Sequence, residues 1–309
     1  MSTTLTKVFV SGATGHQGGA TARHLLDAGV QVHALVRDPS SNSASGLAAR
    51  GARLFPGDFN DPTSLKAAIS GTNAVFLNVS PNPLDPALEV NHAKNIIDAA
   101  TDSGSVSTIV YSSVTMTGKH EIFPSWGPEY PLAWYWENKA QIETMVRNAG
   151  FKHWTILRPA FLMHNYHLPT ASYMFPELAT KEVFLSAYEP DSKMTILDPD
   201  DVGKFAAAAI LEPVRFNGHE IDLGVESLTP AEIAKELSLA SGKEITVKFM
   251  SRDEAERRAP TDPRLWAHLW TNEVGYHVDF KKVGQYGIGL TRFSQYLKNH
   301  RDAVLQTFQ

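Results

Sequence analysis

A chain of 309 residues with 43% hydrophobic and 20% charged residues can bury a large core, as one big domain or two modest ones. Its formal net charge of -5 offers no footprint for direct nucleic-acid or anionic-membrane binding, and no run approaches the roughly 18 apolar residues of a membrane span. Zero cysteines exclude disulfides, thiolate metal sites and a cysteine nucleophile, which fits an intracellular protein of the cytoplasm or also the nucleus.

Residues 7–11, K-V-F-V-S, form a short β-branched and aromatic run ending in glycines, and predict the first strand. Apolar residues at helical spacing over 21–28 (Ala22, Leu25, Leu26) predict a helix that stops before Gly29. Further strands are predicted at 30–36, 52–55, 74–79, 107–112 and 154–158. Helices at 43–50, 62–70, 87–103 and 134–149 alternate with them, Asp61 being the expected N-cap of 62–70. Strand and helix taking turns with short connections is the signature of an α/β doubly wound parallel sheet. Burial on both faces explains continuous runs such as T-I-V-Y.

Past Arg158-Pro159 the pattern loosens, and 170–191 is rich in aromatics and prolines without a clear period, which suits a substrate-side lobe or lid. Helices return at 200–211 and 229–241, where Thr229-Pro230-Ala231-Glu232 reads as a capping box with proline at the first helical position. A strand at 245–249 and a closing helix at 293–305 complete the chain. The expectation is a Rossmann-type sheet domain over 1–160 and a smaller C-terminal α/β lobe over 161–309, interleaved as one compact body.

Between the first strand and the first helix stands G-A-T-G-H-Q-G, with Gly12, Gly15 and Gly18 and with Thr14, His16 and Gln17 between them. Glycines let a tight strand-to-helix turn form and let its backbone approach a pyrophosphate, which the helix N-terminus attracts. The second strand ends in V-R-D-P. Arg37 there pairs with the 2′-phosphate of NADP(H), where a carboxylate would have selected NAD. Asp38 opposes that charge and should turn away. At the next strand tip, Asp58 can accept from an adenine amino group with Phe59 beside the ring, and Asn78 lies near the nicotinamide ribose, because open parallel sheets bind ligands at the carboxyl ends of their strands.

V-F-V-S-G-A-T-G-H-Q-G, A-L-V-R-D-P, G-D-F-N-D-P-T-S-L, K-A-Q-I-E, T-I-L-R-P-A-F, D-P-D-D-V-G and L-T-P-A-E-I-A together resemble the short-chain dehydrogenase/reductase superfamily. R-P-A-F-L-M-H-N and D-P-D-D-V-G point within it to the NmrA-like atypical branch, over residues 7 to about 245. That branch contains reductases and also catalytically silent NADP sensors that bind regulators such as transcription factors. The resemblance makes Tyr135 and Lys139, four apart in Y-W-E-N-K, the pair that moves a proton to a substrate carbonyl, with Lys139 also holding the cofactor. Ser113 matches the serine that hydrogen-bonds the substrate oxygen, Ser112 being its alternative one residue away.

Pro159 and Phe161 are expected beside the cofactor, and Met163, His164, Asn165, Tyr166 and His167 to line the pocket near the nicotinamide. His164 and His167 have a metal-like spacing but no nearby carboxylate, so no metal site is expected. Asp200 and Asp201 should charge a helix start, and 252–258 should be a solvated helix face. Trp266 and Trp270 fit core, lid or partner surface equally. The preferred reading is an NADPH-dependent reductase of a small-molecule carbonyl or related electrophile, and the alternative a non-catalytic NADP(H) sensor with a regulatory protein partner.

Overall fold

A computed structural model describes residues 6–309. In chain order its elements are β1 (Lys7–Val10), α1 (His16–Asp27), β2 (Gln31–Val36), α2 (Asn42–Ala49), β3 (Arg53–Pro56), α3 (Pro62–Ile69), β4 (Ala74–Leu77) and α4 (Ala87–Asp102). Then come β5 (Thr108–Ser112), α5 (Ala133–Asn148), β6 (His153–Pro159), β7 (Phe161–Leu162), α6 (Ala171–Met174), α7 (Pro176–Lys181), β8 (Val183–Ser186), β9 (Met194–Leu197), α8 (Pro199–Leu211) and α9 (Pro213–Phe216). The last are β10 (His219–Leu223), β11 (Glu226–Leu228), α10 (Pro230–Ser241), β12 (Thr246–Phe249), α11 (Arg252–Arg258), α12 (Arg264–Glu273), α13 (Phe280–Gly284), α14 (Phe293–Asn299) and α15 (Arg301–Thr307). No helix among the described residues is long and apolar enough to cross a membrane.

These elements make two compact units, each drawn from three segments. The first is Met1–Gly118, Trp134–Arg158 and Pro199–Ile221; the second is Lys119–Ala133, Pro159–Asp198 and Asp222–Gln309. The main sheet runs β10-β6-β5-β4-β1-β2-β3, and β1 through β6 pair in parallel. The order reverses between β1 and β4, so the helices that follow these strands depart to opposite sides and leave a crevice at the strands' carboxyl ends. Every residue of β4 and β5 is buried, as parallel strands covered on both faces must be. The Rossmann-type expectation is therefore met in strand order and direction.

Local signals read correctly where capping chemistry is local. Asp61 accepts from Thr63 and Ser64 N–H, and the Thr229–Glu232 capping box is present on both sides. The first helix starts at His16, earlier than its apolar spacing suggested, because Gly18 and Gly19 are buried helical residues with no side chain to register. The closing helix is two helices. His300, at φ -110°, interrupts it with its ring against Tyr296 at 4.3 Å. Residues 170–191, without period in the sequence, hold α6, α7 and β8, each too short to show one.

Helix α8 packs on α1 at close range. A Cβ on Gly203 would stand 2.6 Å from Ala20 carbon atoms, so the helices touch through a missing side chain. Asp200, expected only to charge the start of α8, also accepts from His24 Nε2 at 3.0 Å and Arg23 at 3.3 Å, both on α1. The His24 hydrogen bond first, then the charges of His24 and Lys204 and the Arg23 hydrogen bond, hold the Asp200 carboxyl down at about 2 against the effect of burial.

Two outcomes follow from this contact. Gly203→Ala should lower stability by about 1–3 kcal/mol through overpacking, seen as a lower denaturant midpoint at unchanged slope. Asp200 adds stability that is complete above its ordinary value of 3.8 and fades as pH falls toward about 2. Asp200→Asn should flatten that part of the acid-unfolding curve, and an identical curve would show the pair contributes nothing.

Candidate functional site

The turn from β1 to α1 closes on one carbonyl. Gly12 has φ +61°, a left-handed conformation open to glycine, and Gly15 N donates to Gly12 O at 2.9 Å. A Cβ on Gly18 would lie 2.2 Å from that same oxygen. Helix α1 then begins with Gly15 as N-cap, no side-chain cap and no acidic residue in its first turn. Thr14, Gly15 and His16 form the exposed rim. A twelve-residue helix without a side-chain cap presents the positive end of its dipole here, which suits a diphosphate.

The other strand tips surround this crevice. Arg37, just past β2, is exposed and has no ion pair among the described residues. Asp38 is turned into its own loop, where Oδ1 accepts from Ser40 N at 2.8 Å and Ser40 Oγ at 2.6 Å, and these bonds hold its carboxyl below the usual range. Past β3, Asp58 Oδ1 accepts from Asn60 N and Nδ2, each at 2.8 Å, which leaves Oδ2 outside these bonds. The Phe59 ring meets His92 of α4 edge-on at 5.5 Å, and its carbonyl accepts from Asn95 at 2.9 Å.

Past β4, Asn78 lies against Gly12, and its N–H donates to Ser11 Oγ at 2.6 Å. Ser112, at the end of β5, donates to Gln17 Oε1 at 2.6 Å and so ties β5 to the glycine turn. The structure therefore brings Gly12, Gly15, Gln17, Gly18 and Asn78 together with Ser112.

Helix α5 carries Tyr135, Lys139, Glu143 and Arg147 four apart, a polar column on one face. Lys139 is 4% exposed, and its Nζ lies 2.6 Å from Glu89 Oε1 on α4, a side chain with no exposure at all. The same ammonium is 5.7 Å from the centre of the Tyr135 ring. Tyr135 is half-buried, edge-on to Trp134 at 5.9 Å and Trp136 at 5.2 Å. Both oxygens of Glu143 accept from Arg158 of β6, at 2.8 and 2.6 Å.

Tyr111 of β5 is wholly buried in this neighbourhood. Burial first, then the Glu89 and Glu143 carboxylates and the Tyr135 phenol, push its hydroxyl well above the ordinary range, with Ser113 opposing. It remains a neutral phenol that links the surroundings of Ser113 with those of Tyr135. Ser113 Oγ also lies 3.3 Å from Thr117 Oγ1.

In the second unit, Pro159 ends β6 and Phe161 opens β7, its ring 5.4 Å from Tyr166 and 6.3 Å from Phe175. Met163, Tyr166 and His167, expected to line a pocket, are instead core. Met163 and Tyr166 have no exposed surface. His167 is held by the Leu168 carbonyl at 2.9 Å and the Tyr296 hydroxyl at 2.6 Å, and burial lowers its basicity. Their aromatic and apolar character was right for either place, and the packing of α14 onto them decided it. Trp270 is core as well, against Phe123 and Tyr276.

Three site residues were missed in the sequence: Ser11, Ser112 as partner of Gln17, and Glu89. Only Glu89 left a signal. It shares a helical stripe with the buried Ala93, Ile96 and Ala100, and an acid on an apolar stripe needs a partner.

The NmrA-like family model matches residues 4–266. An NmrA-like family domain-containing oxidoreductase of Aspergillus hancockii is 30% identical over 258 residues, covering 79% of this chain and 75% of the relative. The NADPH-dependent quinone oxidoreductase of Escherichia coli, solved with NADPH, superposes with a TM-score of 0.74 at 24% identity, over 95% of this chain and 99% of that one. NmrA, a negative transcriptional regulator solved with NADP, superposes at 0.73 and 21% identity, over 95% and 94%. At these identities the two structures show the fold.

Gly18→Ala tests the cradle. The fold should persist by circular dichroism, while ADP-ribose binding by calorimetry weakens about tenfold or more, a loss of about 1.4 kcal/mol or greater. Equal affinity would place the diphosphate elsewhere.

Proposed function

The chain belongs to the NmrA-like family, and on that premise we propose that it is an NADPH-dependent reductase of a small carbonyl or related electrophilic compound. The observation that carries this reading is a buried Lys139 beside the ring of Tyr135 on α5. A sensor that only binds cofactor has use for the lysine but none for a tyrosine phenol in that place. The oxidoreductase relatives support the same side.

The residues present fit NADP(H). The glycine turn and uncapped α1 suit its diphosphate, and Arg37 has no ion pair among the described residues while the Asp38 carboxylate is engaged by Ser40. Arg37 would take the 2′-phosphate, Asp58 and Phe59 the adenine, and Asn78 and Lys139 the nicotinamide ribose. Lys139 has three donors and is ion-paired with a single Glu89 oxygen, so donors remain for the ribose. Bound there, the cofactor supplies hydride.

The chain's own residues handle the proton. Tyr135 donates to the substrate oxygen as negative charge develops on it. Ser113 donates a hydrogen bond to that oxygen, and the Lys139 ammonium keeps Tyr135 in place. The regulator neighbour supports the second reading, in which the same cradle reports cofactor state to a protein partner without chemistry.

Arg37→Ala should weaken NADPH binding about 10- to 100-fold, since a hydrogen bond to a charged group contributes about 1.5–3 kcal/mol, and should leave NADH affinity nearly unchanged. Tyr135→Phe should cut NADPH consumption across a panel of quinones and aldehydes by about 10²–10⁴-fold and keep cofactor affinity. A wild-type protein that binds NADPH but turns over no member of the panel would sink the reductase reading in favour of the sensor.

A further inference from the structure

We infer that Glu89 is a positioning residue of this site: from α4 it holds the Lys139 ammonium and cancels its charge, so that Tyr135 serves as an acid, in the direction of reduction. The inference rests on the reductase reading for its consequence, but its geometry stands by itself.

Glu89 lies on the apolar stripe of α4, wholly buried, where an isolated carboxylate is disfavoured by several kcal/mol. Lys139 at 2.6 Å is its counter-ion. The approach of the two helices is set a second time by Asn138, whose Nδ2 donates to the Pro86 carbonyl at 2.6 Å, just before α4. Each residue of this second contact is a near neighbour of the ion pair. The pair is therefore held from both helices.

Among the described residues, the other groups facing it supply no second counter-charge. Glu143 on α5 is committed to Arg158 of β6. Tyr111 of β5 is neutral. Tyr135 is a further titratable neighbour, its ring 5.7 Å from the Lys139 ammonium, and His92 stands one turn along α4 from Glu89, with burial lowering its basicity first. Both Glu89 oxygens are buried without a hydrogen-bond partner among the described residues, and only Oε1 has the Lys139 charge against it. A purely structural ion pair would satisfy both oxygens, because each buried oxygen left unmade is destabilising.

A lone ammonium beside a tyrosine favours tyrosinate. With a carboxylate at 2.6 Å, the ammonium becomes one end of a neutral dipole and most of that effect is cancelled. Tyr135 then keeps its proton available for an oxygen that is gaining charge. Removing the carboxylate should release the lysine's effect on the phenol.

The test reads the phenol directly, in cofactor-free protein, by the ultraviolet absorbance of tyrosinate during alkaline titration. Subtracting the titration of Tyr135→Phe isolates the Tyr135 transition. In Glu89→Gln it should move to lower pH by about one unit or more, and in Glu89→Asp it should stay near wild type. If Glu89→Gln does not fold, Lys139→Met gives the opposite sign, because the carboxylate left behind moves the transition upward. Glu89→Gln/Lys139→Met removes both charges and should restore it.

A Tyr135 transition that does not move in a folded Glu89→Gln, or that moves upward, overturns the inference. For an active enzyme, the alkaline limb of the reduction rate should shift with the transition. If the transition shifts but wild type turns over no carbonyl, the reductase reading has failed and the placement of Glu89 has not.

Discussion

Two buried charges on one helix govern the geometry of this molecule. Lys139 and Glu143, one turn apart on α5, meet Glu89 of α4 and Arg158 of β6 respectively. A buried charge without its partner is strongly destabilising, so α5 has one register in which both pairs close. Rotation by a single residue, about 100°, would break both. Tyr135 stands one turn before Lys139, so the same register sets its place.

The glycine turn imposes a second, independent constraint. Gly12 and Gly18 bring the start of α1 onto the carboxyl end of β1, and Ser112 reaches across from β5 to Gln17. On its other side α1 meets α8 at Gly203, and Asp200 joins them by ion pairs. The N-terminal end of α1 is thus held by packing and not by a side-chain cap. A side-chain cap would have stabilised the helix and occupied the position proposed for the diphosphate.

Catalysis and sensing make the same demands on this cradle. Both need a seat for the diphosphate and a cation for the 2′-phosphate, so neither the glycine turn nor Arg37 separates them. The distinction falls on α5, where a sensor needs one cation and a reductase needs a cation with an acid beside it. The role proposed for Glu89 would sharpen that contrast, since neutralising Lys139 has little value unless the proton on Tyr135 matters.

What the sequence determined by itself was everything set by neighbours along the chain. The alternating periods, the strand-glycine-helix turn, the Asp61 cap and the Thr229–Glu232 box are local, and they made the doubly wound sheet and its strand-tip residues legible. The tertiary structure alone decided the rest. Tyr166 and His167 became core where Phe293 and Tyr296 of α14 meet them, and the closing helix broke at His300, whose ring lies tilted against Tyr296. Glu89 found Lys139 fifty positions away, and Gln17 found Ser112 at a separation of 95. Spacing along a chain records which side chains share a face; it holds no record of which faces meet, because that depends on the packing of many elements at once.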